Sequence, residues 1–573
     1  MTKKILYQTI LIVLFGSAIY SQGVVSIESK YFNIDTSQRL IVINKDVDSL
    51  NLSFPELKIG ILAKATTYTF EESIQELEIG SLYKVLDEKE QAHRLYFSEL
   101  PIINITTTNE IVDEPRVLAN FALCEHSGNY TTSYIGVEHR GGWTQTLPKK
   151  SFRIEFWSDA DGENKTDFCL LGLRCDDDWN LQAMCNEPMR IRSKLGYDLW
   201  RKIDTLSYQN DEPTAINGVR QEYVELFVNG AYRGLYTLSE RNDRKQLRLK
   251  KYDDVTRGEL YKGIGWGAST FAALPQFNNQ SNIWSGFEFI YPDEEIDWTN
   301  IYEFVDFVIN EDWTPFIDNY RDQFDLDNAV NYFIFLNLLR ATDNAGKNTF
   351  IAKYDTDEPY FYIPWDLDGS FGIIWNGSVE NITDDILTNG LYEKLLLDNS
   401  SDGFLARLEN KWKDLRENTI TTDNLIENFN SEINYLRTNK VYERELATWQ
   451  GCETFGSNNE YTFDWIRARI DYLDEVFNNP ELLTATQENI LSEVLLKLSP
   501  NPASNTLSYE ATINNHILES VVVINSLGIP VLNFYTDNNL GQIDVSALSP
   551  GIYYVSAEFR NGVRKVEKFL VAR

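Results

Sequence analysis

Apolar periodicity changes twice along this chain, and those changes constrain its architecture more than any single motif. Up to about residue 290 the apolar residues come in short alternating runs such as Leu40–Asn44, Ile59–Ala63 and "LPIINITTT" from Leu100. A period of two is that of a strand with one buried face. From Trp298 to Pro480 the spacing becomes three and four, which predicts helices. The segment "WIRARIDYLDEVF" (465–477) is the clearest helix, and Asn478-Asn479-Pro480 ends it. After "LSPNPASNTL" (498–507) alternation returns in Ser520–Asn525, Val531–Tyr535, Gly551–Phe559 and Lys565–Val571, with turns at Leu527-Gly528 and Asn561-Gly562. At 573 residues the chain exceeds one ordinary core. The expectation is an α+β chain: a leader at 1–22, a β-rich N-terminal module at 23–97, and a central domain at 98–480 with a β-rich half followed by a helical half. A linker at 481–495 and an all-β sandwich at 496–573 complete it.

The leader has the three parts of a secretory signal peptide. Lys3 and Lys4 precede an apolar stretch from Ile5 to Tyr20, and Ser17, Ala18 and Ser21 lie before Gly23. A membrane anchor is opposed by Gln8 and by the shortness of the run. No other stretch is long and apolar enough to cross a bilayer, so no membrane span is expected in the mature chain. Acidic residues number 86 against 52 basic, for a net charge of -34. Such a surface repels nucleic acid and anionic lipid, so neither is expected as a partner. Export permits disulfides. Of the five cysteines, Cys169, Cys175 and Cys185 are close enough to invite one; with Cys124 and Cys452 the count is odd, leaving at least one unpaired within the chain. The histidines His93, His126, His139 and His516 show no zinc-ligand spacing.

Two segments carry residue types suited to chemistry. In "HRGGWTQTLPKKSFRIEF" (139–156) a strand runs into Gly141-Gly142, and a polar loop follows before Phe152, Ile154 and Phe156 alternate inward. Glycines let backbone N–H groups approach a phosphate, and Lys149 or Lys150 could neutralise it; the plain alternative is a hairpin turn. In "RATDNAGKNTFIAKYDTDEPYFYIPWDLDGSFG" (340–372) a helix burying Val330, Phe333, Leu336 and Leu338 or Leu339 delivers Asp343. Asn348 follows five residues on, and a hairpin ends at Asp366 and Asp368. One carboxylate there can orient a hydroxyl, an asparagine and a second carboxylate offer hard oxygen ligands for Mg²⁺, and Lys347 adds positive charge. Turn and cap roles for these acids are the plain alternative. A glycosidase pair is a further one, against which the asparagine tells.

Taken in order, several motifs resemble the CotH family of atypical protein kinases, named for spore-coat protein H. They are "LPIINI", the Gly-loop-"KKSFRIEF" hairpin, "DDDWNL" (176–181), the helix "MRIRSKLGYDLW" (189–200), "YVELFVNGAYRGLYTLSE" (223–240), "GELYKG" (258–263), "TDNAGKN" and "IPWDLDGSFG". The resemblance spans about residues 98–480 and implies a two-lobed protein-kinase-like domain, with a β-rich N-lobe and a helical C-lobe. It implies transfer of the γ-phosphoryl group of Mg-ATP, or its Mn²⁺ complex, to serine or threonine of an exported protein. Asp343 would be catalytic with Lys347, and Asn348 and Asp366 would bind metal, with Asp368 a second choice. Gly141, Gly142, Lys149, Lys150 and Glu240 would lie along the nucleotide. A surface or matrix binding protein that kept the fold and lost turnover is the alternative. Asn186-Glu187 stand where an aspartate is expected before the helix at 189, so the acidic partner of a phosphate-binding lysine is not identified. Residues 496–573 resemble the C-terminal sorting domain of the type IX secretion system of Bacteroidota. The carriers are Pro500-Asn501-Pro502, "NSLGIPV", "LSPGIYYV" (548–555) and the basic end "KVEKFLVAR". That resemblance implies Sec export to the periplasm, handling by the type IX machinery, and a secreted or outer-membrane cell-surface location.

Overall fold

Alternation in the first hundred residues produces a seven-stranded sheet in the order Val24–Ser26, Lys58–Ala63, Thr66–Ile74, Tyr83–Leu86, Ala92–Phe97, Leu40–Ile43, Phe32–Asp35. The computed structural model describes residues 23–452, 458–480, 482–483, 495–512, 518–526, 528–536, 538–559 and 564–573. The leader, most of the expected linker, and the turn residues Leu527, Asn561 and Gly562 lie outside those residues.

The N-terminal sheet docks on a closed barrel. The barrel runs Tyr130–Arg140, Ser151–Trp157, Asp178–Gln182, Ala231–Ser239, Gln221–Val228, Ile102–Thr106, Val117–Cys124. Leu40, Val42 and Tyr96 of the sheet pack on Ile102, Phe227 and Tyr232 of the barrel. The Asp35 carboxylate accepts the backbone N–H of Tyr232 at 2.9 Å. Inside the barrel, Ile103, Phe121, Ile135, Ile154, Trp179 and Leu238 fill the interior, as a barrel of this size requires. The pairing of His139 with Phe152 and Arg140 with Ser151 closes the hairpin that carries Gly141-Gly142.

A second sheet follows, ordered Ile283–Trp284, Phe287–Tyr291, Glu259–Gly263, Thr349–Lys353, Tyr360–Pro364. Helices surround it, and Leu326–Leu339 is central among them. The sequence predicts one apolar side for this helix, yet every residue from Asn328 to Leu339 is buried. Asp325 caps its first turn by accepting the N–H of Asn328. Arg340 ends it in the left-handed conformation, and the Arg469 guanidinium donates to the Asn337 carbonyl at 2.7 Å, where positive charge is favoured. The expected helix at 189–200 occupies Arg192–Ile203 instead. The reason is Glu187, whose carboxylate accepts the N–H groups of Met189, Ile191 and Arg192 and holds 187–191 as a capping turn.

At the C-terminal end, a three-stranded sheet (Leu495–Ser499, Thr506–Thr512, Leu540–Asp544) faces a four-stranded one. The latter runs Pro530–Tyr535, Leu518–Asn525, Gly551–Phe559, Arg564–Val571. Leu507, Val521, Val523, Val555 and Phe569 lie between the two layers. The chain is thus mixed α+β with an all-β C-terminal region. No helix among the described residues is long and apolar enough to cross a membrane.

Two disulfides form, Cys169–Cys175 and Cys185–Cys452, and Cys124 is buried and unpaired. The first spans six residues and the second 267, so the second restricts the unfolded chain far more. Replacing Cys185 and Cys452 together by alanine is expected to lower the unfolding free energy by about 2–4 kcal/mol. Replacing Cys169 and Cys175 is expected to cost less. Guanidinium titrations of both variants check the order, and equal losses would contradict it.

Candidate active site

Where the central helix stops, the chain turns through Thr342–Ala345 before entering strand Thr349–Lys353. Asp343 sits in that turn, with Lys347 Nζ 3.6 Å and Asn348 Nδ2 3.5 Å from its Oδ2. Burial lifts the Asp343 carboxyl above the ordinary range, and the Lys347 charge opposes that lift.

Asn348 and Asp366 both hold positive φ, 52° and 56°. Left-handed backbone costs a non-glycine residue roughly 1–3 kcal/mol and persists only where the surroundings over-determine it. Here they do. The buried Asn344 amide donates to the carbonyls of Asn348 at 2.6 Å and Trp365 at 2.7 Å, tying the turn to the end of the hairpin. Trp365 N–H donates to the Asn348 carbonyl at 3.1 Å, Asn348 N–H to Gly263 at 3.0 Å, and Asp366 N–H to the Tyr197 hydroxyl at 2.9 Å. Asn344 was not singled out in the sequence, although it lies inside the very motif that was.

Asp343, Lys347, Asn348, Asp366 and Asp368 line one cavity of about 430 Å³, and Gly141 and Gly142 line it from the barrel side. Asp368 accepts a bond from Asn186 Nδ2 at 2.6 Å. Burial, then the Asp366 charge, pushes its carboxyl well up. Two cations absent from the sequence expectations also line the cavity, Arg140 and Lys262. Gln182 holds the Arg140 guanidinium, which lies over the Trp365 ring. Burial disfavours the charge of each, and for each the Asp366 carboxylate acts in the opposite sense. The signals available were the position of Arg140 beside the glycine pair and of Lys262 within "GELYKG".

Three expected nucleotide-side residues lie elsewhere. Lys149 is fully buried under the barrel, donating to the Leu235 carbonyl and to Glu445 Oε1 at 2.5 Å. Burial pulls its pKa down to about 8 despite the Glu445 charge. Lys150 donates to the carbonyls of Gln145 and Leu147 and so folds its own loop. Glu240 is buried against Arg220, accepts the Arg174 N–H at 2.8 Å, and does not line the cavity. Glu187 is occupied with its helix cap and with Arg192, so the partner sought for a phosphate-binding lysine is absent at that position.

The donor set of the cavity suits a hard cation: a carboxamide oxygen and carboxylates, with no thiolate or imidazole required. Among the described residues, the one acidic trio whose oxygens draw within 4.8 Å of one another is Asp167, Asp176 and Asp177. Lys245 bridges Asp176 and Asp177, and Arg174 and Lys165 add further charge there. That trio is neutralised by protein. Asn348 and Asp366 offer hard oxygen donors on the cavity wall, and Mg²⁺ is ordinarily bound by one or two carboxylates together with water and phosphate oxygens.

A family model described as CotH kinase protein matches residues 137–473, and one described as a secretion system C-terminal sorting domain matches residues 497–572. No curated protein matches the chain.

The two kinds of lysine separate experimentally. Lys149→Met leaves Glu445 buried with Arg190 as its remaining ion-pair partner among the described residues and is expected to lower stability by about 3–5 kcal/mol. Lys262→Met is expected to change stability by less than about 1 kcal/mol. Denaturant unfolding of both variants decides; the reverse order would contradict the placement of Lys149.

Proposed function

The chain belongs to the CotH kinase protein family, and from that premise we propose that it is an exported phosphotransferase, moving the γ-phosphoryl group of ATP to serine or threonine of an exported or surface protein. Its C-terminal sorting domain implies handling by the type IX secretion machinery and export. We read residues 1–22 as the Sec signal that begins that route, ending in secretion or display on the outer membrane. The barrel is read as the β-rich lobe, and the second sheet with its helices as the helical lobe.

One observation carries the reading: Asp343, Asn348 and Asp366 line a single cavity with Gly141-Gly142, and Arg140, Lys262 and Lys347 line the same cavity. Phosphoryl transfer asks little covalent chemistry of a protein and much positioning and charge stabilisation. In the proposed step the acceptor hydroxyl oxygen forms a bond to the γ-phosphorus while the bond from that phosphorus to the β,γ-bridging oxygen breaks. ADP leaves with that oxygen, and the hydroxyl proton passes to an Oδ atom of Asp343. The raised affinity of Asp343 for a proton suits this role. Lys347, 3.6 Å from that carboxylate, keeps it oriented and sets positive charge beside the transferring group. Arg140 and Lys262 would take the phosphate role that Lys149 and Lys150 cannot reach. Backbone N–H groups of Gly141 and Gly142 would approach the phosphates without a Cβ in the way. Asn348 and Asp366 would hold Mg²⁺ or Mn²⁺, with Asp368 behind them; when bound, the ion neutralises the phosphate oxygens and fixes their orientation.

At saturating Mn²⁺ and ATP, Asp343→Asn is expected to slow label transfer from γ-labelled ATP by about 10²–10⁴-fold while leaving the nucleotide's effect on melting temperature intact. Asp366→Ala is expected to abolish that melting shift. Transfer that survives both substitutions, or survives chelation of divalent ions, would overturn the reading.

A further inference from the structure

The cavity has a wall that neither lobe supplies. Glu519, Ser520, Val522, Asn533, Tyr535 and Glu558 of the C-terminal sandwich line it opposite Asp343 and Asp366. These residues form one patch. Ser520 pairs with Tyr535 and with Glu558 across its two neighbouring strands, and Val522 pairs with Asn533. Their side chains occupy the outer face of the four-stranded sheet, since Val521 and Val523 point into the sandwich core. An outer face should be wet, yet Ser520 and Val522 are only 4% and 5% exposed. They share the cavity lining with residues of the catalytic domain, while Tyr535 at the edge of the patch stays 66% exposed.

The contacts reach both sides of the cleft. Tyr535 stacks on Trp375 at 6.0 Å, and Trp375 packs edge-on against Trp143 beside the glycine pair at 4.9 Å. Arg564, paired with Glu558, lies over Trp266, another residue of the cavity wall. The carboxylates of Glu519 and Glu558 are thereby brought into the field of Asp343. Burial, followed by the charges of Glu558, Glu380 and Asp343, lifts Glu519 to about 7. A nucleoside triphosphate entering this space meets two further carboxyl groups, one of them paired with Arg564, and a protein segment seeking Asp343 meets a β-sheet.

We propose that the sorting domain is an autoinhibitory plug: while joined to the catalytic domain, its four-stranded sheet obstructs the cleft and weakens its hold on nucleotide and protein substrate, and its separation opens the site. The inference rests on reading this cavity as the phosphotransfer site. Covalent connection is central to it. A tethered partner acts at an effective concentration of order millimolar, and that advantage disappears once the tether is cut and the halves are diluted.

The test uses the full chain with a specific protease sequence inserted between residues 484 and 494, and a second full chain carrying Tyr535→Asp and Arg564→Glu. Hydrogen exchange over 139–147 and 365–376, which needs no nucleotide, is measured before and after cleavage at micromolar dilution, alongside a Mn²⁺·ATP titration. Exchange at 551–559 reports that the sandwich itself stays folded. The expected result is faster exchange in both cleft segments, after cleavage and in the uncut double variant, with Mn²⁺·ATP binding tightened about tenfold or more. Unchanged exchange and affinity in cut chains whose halves separate by size exclusion, and in the double variant, would overturn the plug. Faster exchange with no Mn²⁺·ATP binding in any form would keep the plug and overturn the phosphotransfer reading.

Discussion

A single buried carboxamide, that of Asn344, holds the candidate site in register. Its two N–H bonds reach the carbonyls of Asn348 and Trp365, which belong to the two ends of one hairpin. That tie works with the Trp365, Gly263 and Tyr197 bonds to sustain the left-handed conformations at Asn348 and Asp366, which asparagine and aspartate adopt more readily than other side chains. Tyr332, from the central helix, donates from its hydroxyl to the Asn344 carbonyl and so locks the turn against the core. The position of Asp343, Asn348 and Asp366 is therefore tied to a helix that is buried along nearly its whole length.

Around this point several charged side chains pair in the interior. Arg340, two residues ahead of the turn, is gripped by Asp385 and Glu380, and Arg469 reaches Asp385 from another helix. On the far side of the cleft, helix Val441–Thr448 offers Glu445 to Lys149 and Arg444 to Glu225, all four fully buried. Such pairs gain little net stability over apolar packing, but breaking one is costly. Their consequence is geometric: they fix the barrel to the helices, so the glycine pair on one side and Asp343 on the other face a cavity of defined width.

This division explains what could be read from the sequence. Asp343, Asn348 and Asp366 stand within one local unit, a turn and a hairpin, whose spacing alone brings them together. The strand alternation of the C-terminal region was likewise local, and it located four of that region's strands within a residue or two. Lys149 misled because the same adjacency to glycines serves a phosphate contact or a buried ion pair, and what decides between them is Glu445, almost three hundred residues away. Glu240 misled for the same reason, its partner Arg220 lying on a segment with no motif of its own. The Cys185–Cys452 bond and the seating of the sandwich over the cleft are long-range facts that no periodicity encodes. The helix at 192 began late because Glu187, which stands where an aspartate was expected, is a capping residue.

The central claim is that Asn348 and Asp366 hold one divalent ion against nucleotide phosphates in this cavity. Anomalous scattering from crystals grown with Mn²⁺ and a non-hydrolysable ATP analogue, after release of the sandwich, tests it most directly. The account requires a single strong peak at roughly 2.0–2.2 Å from an oxygen of each residue and from phosphate oxygens. A peak seated instead among Asp167, Asp176 and Asp177, or none in the cavity while the nucleotide is bound, would contradict it.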